Sequence, residues 1–180
     1  GCKFCASGLG GLVRSLSAGE ILDQILFMQK DTGERISNIV LMGTGEPLDN
    51  YDNVLRFIRL VGAPEGLNIG QRHISLSTCG IINKIYDLAN ENLQLTLSVS
   101  LHAPNDSIRN TLMPINKNFN VDELLKACKF YIIKTKRRIS FEYAMISDIN
   151  DSDDCAIELA RKLSGMLLSL IPISEPTSPY

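Results

Sequence analysis

The chain has 180 residues, 44% of them hydrophobic, and a formal net charge of −2. That length and apolar content suit one globular domain with a sizeable core, and the near-neutral balance points by itself to no nucleic-acid partner. The longest apolar runs, such as Met166-Leu167-Leu168, fall far short of a bilayer-spanning helix, and five cysteines without a secretory signal point to a reducing, cytoplasmic setting.

The chain opens inside a motif, Gly1-Cys2-Lys3-Phe4-Cys5-Ala6-Ser7, with no initiator Met before it. Two cysteines at this spacing suit a metal centre or a redox pair. A zinc site wants a second pair of ligands, yet Cys79, Cys128, Cys155, His73 and His102 stand apart from one another. A thioredoxin-like pair wants a helix directly after it, and Gly8-Leu9-Gly10-Gly11 is a poor helix start. An iron–sulfur site remains, needing a further ligand upstream, beside the plain alternative of two unrelated thiols.

Ser17 to Glu20 reads as a capping box, and Ile21, Leu22, Ile25, Leu26 and Met28 follow at helical spacing to an end near Gly33. Ile36 to Met42 reads as a buried strand halted by Gly43-Thr44-Gly45-Glu46-Pro47. Val54, Leu55 and Ile58 mark a second helix, with a loop from Gly62 to Gly70. His73 to Thr78 alternates with period two and stops at Cys79-Gly80; a helix over 82–90 and a strand over 95–101 follow. His102-Ala103-Pro104-Asn105-Asp106 has turn chemistry, and the next helix covers 122–134 with Leu124, Leu125, Cys128 and Ile132 inward. Ile139, Phe141, Tyr143 and Met145 alternate with Ser140, Glu142 and Ala144 in a strand, and a helix over 153–163 comes last. The basic group Lys126, Lys129, Lys134, Lys136, Arg137 and Arg138 reads as a solvated face, with phosphate contact as the alternative.

Strands and helices alternating at this spacing imply parallel β/α units, either an open doubly wound sheet or a full or partial barrel. Both place ligands at the C-terminal strand ends, where 43–47, 77–80 and 100–106 all fall. No phosphate-binding glycine loop is present. Taken alone, Glu46 could be an exposed loop acid, Ser77 a turn-former, His102 a hydrogen-bonded strand-end histidine and His73 an exposed strand residue. Cys79 lies near this end, and Cys128 and Cys155 read as small core residues.

Five segments in order, Cys2 to Ser7, Met42-Gly43-Thr44-Gly45-Glu46-Pro47-Leu48, Leu76-Ser77-Thr78-Cys79-Gly80, Ser100-Leu101-His102-Ala103-Pro104-Asn105-Asp106 and Met113-Pro114-Ile115-Asn116, carry a family resemblance. Together they resemble the radical S-adenosylmethionine (SAM) enzymes that methylate C2 of adenine in 23S ribosomal RNA and some transfer RNAs. The likeness runs over about residues 1 to 167. It implies a partial (β/α)6 barrel, here truncated at both ends, with a [4Fe–4S] cluster and SAM as cofactors. Cys2 and Cys5 match the last two cysteines of the family's CxxxCxxC motif. Gly45 and Glu46 match the segment that receives the SAM amino group, Ser77 a SAM-contacting serine, and Ser100, Leu101 and His102 the stretch lining the rest of the cofactor. A relative methylating C8, or a fragment that binds SAM or RNA without catalysis, is the alternative.

The family chemistry methylates an enzyme cysteine with one SAM and uses a second to generate a 5′-deoxyadenosyl radical, an electron donor such as flavodoxin or ferredoxin supplying the electron. The resemblance places the first cluster cysteine, the resolving cysteine and the methyl-carrying cysteine outside residues 1–180, so no catalytic residue is assigned here. The 180-residue chain is accordingly expected neither to methylate RNA nor to hold a stable cluster. Residues 1–167 are read as the radical SAM core. Residues 168–180, Leu168 to Tyr180, resemble translated sequencing-adaptor read-through; their prolines discourage regular structure, and they are set apart as an atypical tail.

Overall fold

The computed structural model describes residues 1–173. Its centre is a five-stranded sheet in the order β1 (Ile39–Leu41), β2 (Ile74–Thr78), β3 (Thr96–Ser100), β4 (Ile139–Ala144) and β5 (Leu168–Ile173). Every neighbouring pair is parallel. Strand order equals chain order and never reverses, as in barrel winding and unlike a doubly wound sheet. The fold is therefore a partial barrel of β/α units.

The helices are α1 (Ala18–Thr32), α2 (Tyr51–Val61), α3 (Ile82–Asn90), α4 (Asp106–Leu112), α5 (Val121–Thr135) and α6 (Asp153–Leu163). Their starts are chemically specified. Ser17 and Glu20 form the expected capping box on α1, Asn120 and Glu123 form a second on α5, and Ser152 accepts from the Cys155 amide on α6. None of the described helices is long and apolar enough to cross a membrane.

Helix-facing strand residues Ile74, Leu76, Leu97, Val99, Ile139 and Phe141 are at most 1% exposed and pack with Ile58, Ile85, Leu88, Leu124 and Cys128 in one core. The opposite face is polar and small. Ser77 pairs with Ser98, Ser98 with Ser140 and Ser140 with Ser169, which lays a row of serines across β2 to β5.

Three expectations need correcting. The first strand spans only Ile39–Leu41, because its partner begins at Ile74 after a 3₁₀ turn over Gln71–His73; Ile36 N–H donates instead to the Gln29 side chain at 3.1 Å. His73 sits in that turn, exposed, with Nδ1 3.2 Å from Asn38 Oδ1. The stretch after His102 is more than a turn. Asn105 caps α4 by accepting from Ile108 N–H at 3.1 Å, and a 3₁₀ turn over Pro114–Lys117 follows.

The segment set apart as a tail enters the fold: Leu168–Ile173 pairs with β4 over its whole length, Pro172 lying opposite Tyr143. As an edge strand of the described sheet, β5 accommodates a proline, which removes a donor that only a further neighbour would use. Residues 174–180 lie outside the described residues.

Candidate functional site

The expected site residues gather at the C-terminal ends of the strands. In the opening motif the Cys5 amide donates to Cys2 O at 3.1 Å, closing a turn that carries both thiols, and a 3₁₀ turn over Ala6–Gly8 continues it. Lys3 N–H donates to Leu112 O at 2.9 Å, tying this turn to the end of α4, and the Phe4 ring meets the His102 ring edge-on at 4.8 Å. Both thiols are half-buried. Burial raises the Cys2 pKa most, and the charges of Cys5, Arg109 and Glu46 also reach it.

Glu46 follows Gly45, whose φ of +122° only glycine adopts comfortably. Its carboxylate accepts from Leu48 N–H at 3.0 Å and from Cys79 N–H at 2.7 Å, so it ties the β1 loop to the end of β2. Burial pushes the Cys79 thiol far up, with the Glu46 charge acting in the same direction. A protonated thiol there is a poor nucleophile. A Cβ at the neighbouring Gly80 would stand 2.9 Å from Leu124 Cδ1, so the turn after Cys79 needs glycine.

Ser77 and Ser100 point onto the serine-lined face and share one acid. Ser77 Oγ donates to the Glu142 carboxylate at 3.3 and 3.2 Å, and Ser100 Oγ donates to its Oε2 at 3.1 Å. The Glu142 carbonyl accepts from Leu101 N–H at 3.0 Å and His102 N–H at 3.3 Å, so one β4 residue holds the whole Ser100–His102 stretch. Leu101 itself is fully buried.

His102 is 4% exposed and holds φ +55°, an unusual conformation for a non-glycine residue. It is pinned on both sides: Nδ1 accepts from Ala144 N–H at 2.9 Å and its carbonyl from Asn150 Nδ2 at 2.7 Å. Burial, with the Arg109 charge second, pulls its pKa down to about 4. The ring is therefore neutral near pH 7, with its proton on Nε2.

Arg109 fastens this end together. It is completely buried, and its guanidinium donates to Leu101 O at 3.0 Å, Ser100 O at 3.0 Å, Cys79 O at 2.8 Å and Asn116 Oδ1 at 3.0 Å. The strand ends of β2 and β3 thus hang on one side chain. Glu142, Arg109, Asn116 and Asn150 were missed as site residues in the sequence. The available signals were a lone acid inside a strand and a lone arginine beside an asparagine capable of capping.

Other features lie elsewhere. Cys128 and Cys155 are buried as core residues, and burial pushes the Cys128 thiol up to about 12. A cleft of about 440 Å³ lined by Ile82, Tyr86, Asn118, Phe119, Glu123 and Lys126 touches none of the expected site residues. The basic cluster runs along α5 to the start of β4, and its part from Lys134 to Arg138 lies at the end opposite the site. There Arg137 Nε donates to Leu95 O at 3.0 Å and Arg138 Nη1 to Ser169 Oγ at 3.3 Å.

Residues 1–160 match the radical SAM superfamily. A Clostridium tetani protein named "Probable dual-specificity RNA methyltransferase RlmN" is 64% identical over 177 residues, which are 97% of this chain and 51% of that protein. A Clostridium acetobutylicum protein of the same name is 58% identical over 176 residues, again 97% and 51%. The crystal structure of a radical SAM methyltransferase from Sphaerobacter thermophilus superposes with a TM-score of 0.92 at 44% identity, covering 96% of this chain and 51% of that one. The chain spans about half the length of the curated relatives it matches. With a paired-thiol turn, an acid-bearing glycine loop and polar strand ends converging on one end of a parallel sheet, this chain belongs to the radical SAM superfamily.

Proposed function

We propose that this chain is the cofactor-binding core of a radical SAM methyltransferase that methylates C2 of adenine in 23S ribosomal RNA and transfer RNA. The observation that carries the reading is the convergence of Cys2, Cys5, Glu46, Ser77, Ser100 and His102 at one end of the sheet, in a chain 64% identical to a protein named as an RNA methyltransferase. Membership of the superfamily carries a [4Fe–4S] cluster and SAM as cofactors.

The donor set suits the cluster in part. Cys2 and Cys5 present two thiols from one turn, and among the described residues no group of three Cys, His, Asp or Glu stands ready for a metal ion. Two corners of the cluster would rest on Cys2 and Cys5, with a third thiolate coming from outside this chain. When bound, the cluster supplies the electron for reductive cleavage of SAM. The protein's own part is to bind and orient. Glu46 offers a carboxylate to the cofactor's ammonium, Gly45 lets the backbone approach, and Ser77 and Ser100 offer hydroxyls. The neutral His102 ring and the Phe4 edge close the site between the thiol turn and β3.

In this reading residues 1–167, with β5 paired beside them, form the radical SAM core, the protein works in the cytoplasm, and a flavodoxin or ferredoxin delivers the electron. The test uses the protein as its gene encodes it, loaded with cluster, together with methyl-labelled SAM, a reductant and unmodified 23S ribosomal RNA or transfer RNA. Labelled 2-methyladenosine is the expected product. Labelled 8-methyladenosine, or no product from a cluster-loaded protein, would contradict the assignment. Residues 1–180 alone are expected to give no product.

A further inference from the structure

The polar face of the sheet holds a buried acid that pairs with no cation among the described residues. Glu142 is 5% exposed, and its carboxylate accepts only from the Ser77 and Ser100 hydroxyls. The ion pairs among the described residues, Arg14–Glu20, Arg59–Glu91, Lys84–Asp87 and Lys162–Asp122, do not include it. A buried carboxylate kept without a cation is costly, and two neutral hydroxyls offset that cost incompletely.

The hydroxyls themselves are constrained by this arrangement. A serine has one O–H to donate and two lone pairs to offer. Ser77 and Ser100 both spend their proton on Glu142, so each turns only lone pairs outward. A ligand seated on them must bring donors. The same face carries Ser98, Ser140 and Ser169 in register with Ser77, so its side chains are small.

SAM carries two donor-rich groups, the ammonium and the ribose cis-diol. Glu46, on the loop after β1, already offers a carboxylate at one side of the site, while Glu142 lies on β4, beyond β2 and β3. Their carboxylates reach the end of β2 at different points, Glu46 at the Cys79 amide and Glu142 at the Ser77 hydroxyl, so the two acids can serve different groups of one ligand. Resting on the cofactor reading above, we propose that Glu142 is a positioning residue. It draws the Ser77 and Ser100 protons inward, so that both serines meet the ligand as acceptors and select for the ribose hydroxyls. Its carbonyl, bonded to the Leu101 and His102 amides, holds the same segment in place from the backbone side.

The experiment is calorimetric binding of S-adenosylhomocysteine and of its 2′-deoxy and 3′-deoxy forms to the cluster-loaded protein as its gene encodes it. The unaltered protein is expected to bind the parent about tenfold tighter than at least one deoxy form, the size of one hydrogen bond. Glu142→Leu removes the acceptor and leaves both serine protons free to turn outward. It is expected to lose about tenfold toward the parent while binding the deoxy forms as the unaltered protein does, so that discrimination disappears. A merely structural role would weaken all three ligands alike and keep the discrimination, which would overturn the proposal. If circular dichroism shows Glu142→Leu to be unfolded, Ser77→Ala and Ser100→Ala decide: full discrimination retained in both overturns it. An unaltered protein that binds all three ligands equally overturns the ribose assignment alone. One that binds none overturns the cofactor reading together with it.

Discussion

The two faces of one sheet are built from opposite chemistries. Leu97 and Phe141 are fully buried beneath the helices, while their chain neighbours Ser98 and Glu142 turn to the other side and meet hydroxyls. On the helix side, area removed from water stabilises the fold at about 25 cal/mol per Å². On the serine side little apolar area is buried, and hydrogen bonds hold side chains in place. The difference separates what keeps this chain folded from what prepares it to hold a ligand.

The largest effect should come where the two chemistries meet, at Arg109. Arg109→Met leaves the Leu101, Ser100 and Cys79 carbonyls and the Asn116 side chain without their donor, in a site with no exposure. A loss of about 4 kcal/mol is expected in urea unfolding. A loss under about 1 kcal/mol would show that the strand ends do not depend on it.

Leu97→Ala comes next, at about 3 kcal/mol for a fully buried leucine. Its neighbour Ser98, 3% exposed and bonded only to Ser75 Oγ at 3.3 Å, should cost about 1 kcal/mol or less as Ser98→Ala. Equal losses at 97 and 98 would erase the distinction between the faces.

Acid probes the serine side through His102. Its neutral ring has a pKa of about 4, against 6.5 for an unperturbed imidazole, so between those values the unfolded chain binds a proton that the folded chain refuses. The stability this contributes is complete above about pH 6.5 and is lost as pH falls toward 4, to a total of about 3 kcal/mol. His102→Asn, which tolerates the left-handed backbone and keeps an acceptor, should flatten that part of the pH profile. An unchanged slope would place the acid sensitivity elsewhere.

A comparably small effect is expected at a helix start on the apolar side. Ser152→Ala removes the acceptor for Cys155 N–H and should cost about 1 kcal/mol, without effect on ligand affinity. A change in affinity would mean that α6 is coupled to the strand ends.

Much of the apolar face was legible in the sequence, because burial on one side of a strand or helix imposes a period. The helix after Ser17 follows from its capping box, and the helices over 82–90 and 153–163 from spacing. The first strand came out shorter than its apolar run, since ladder length depends on where the partner begins, which hydrophobicity does not encode. The atypical composition of residues 168–180 likewise hid the pairing of Leu168–Ile173, because proline is excluded from central strands and allowed at edges.

For the site, motif spacing found the residues on loops and strand ends but not their supports. Glu142 looked like one more polar position in an alternating strand, and its role emerges only when β2 and β3 bring Ser77 and Ser100 to it from 65 and 42 residues away. Arg109 lies in a helix hidden behind turn-like residues, and its acceptors are backbone carbonyls that leave no trace in composition.

The central claim is that Cys2 and Cys5 hold two corners of a cluster beside a SAM site at these strand ends. Its most direct measurement is anaerobic iron and sulfide reconstitution of the protein as its gene encodes it, followed by electron paramagnetic resonance of the reduced sample with and without SAM. The unaltered protein should show a [4Fe–4S]⁺ signal that shifts on adding SAM, and Cys2→Ala and Cys5→Ala should each lose the signal. A full, SAM-responsive signal in either variant would contradict the account.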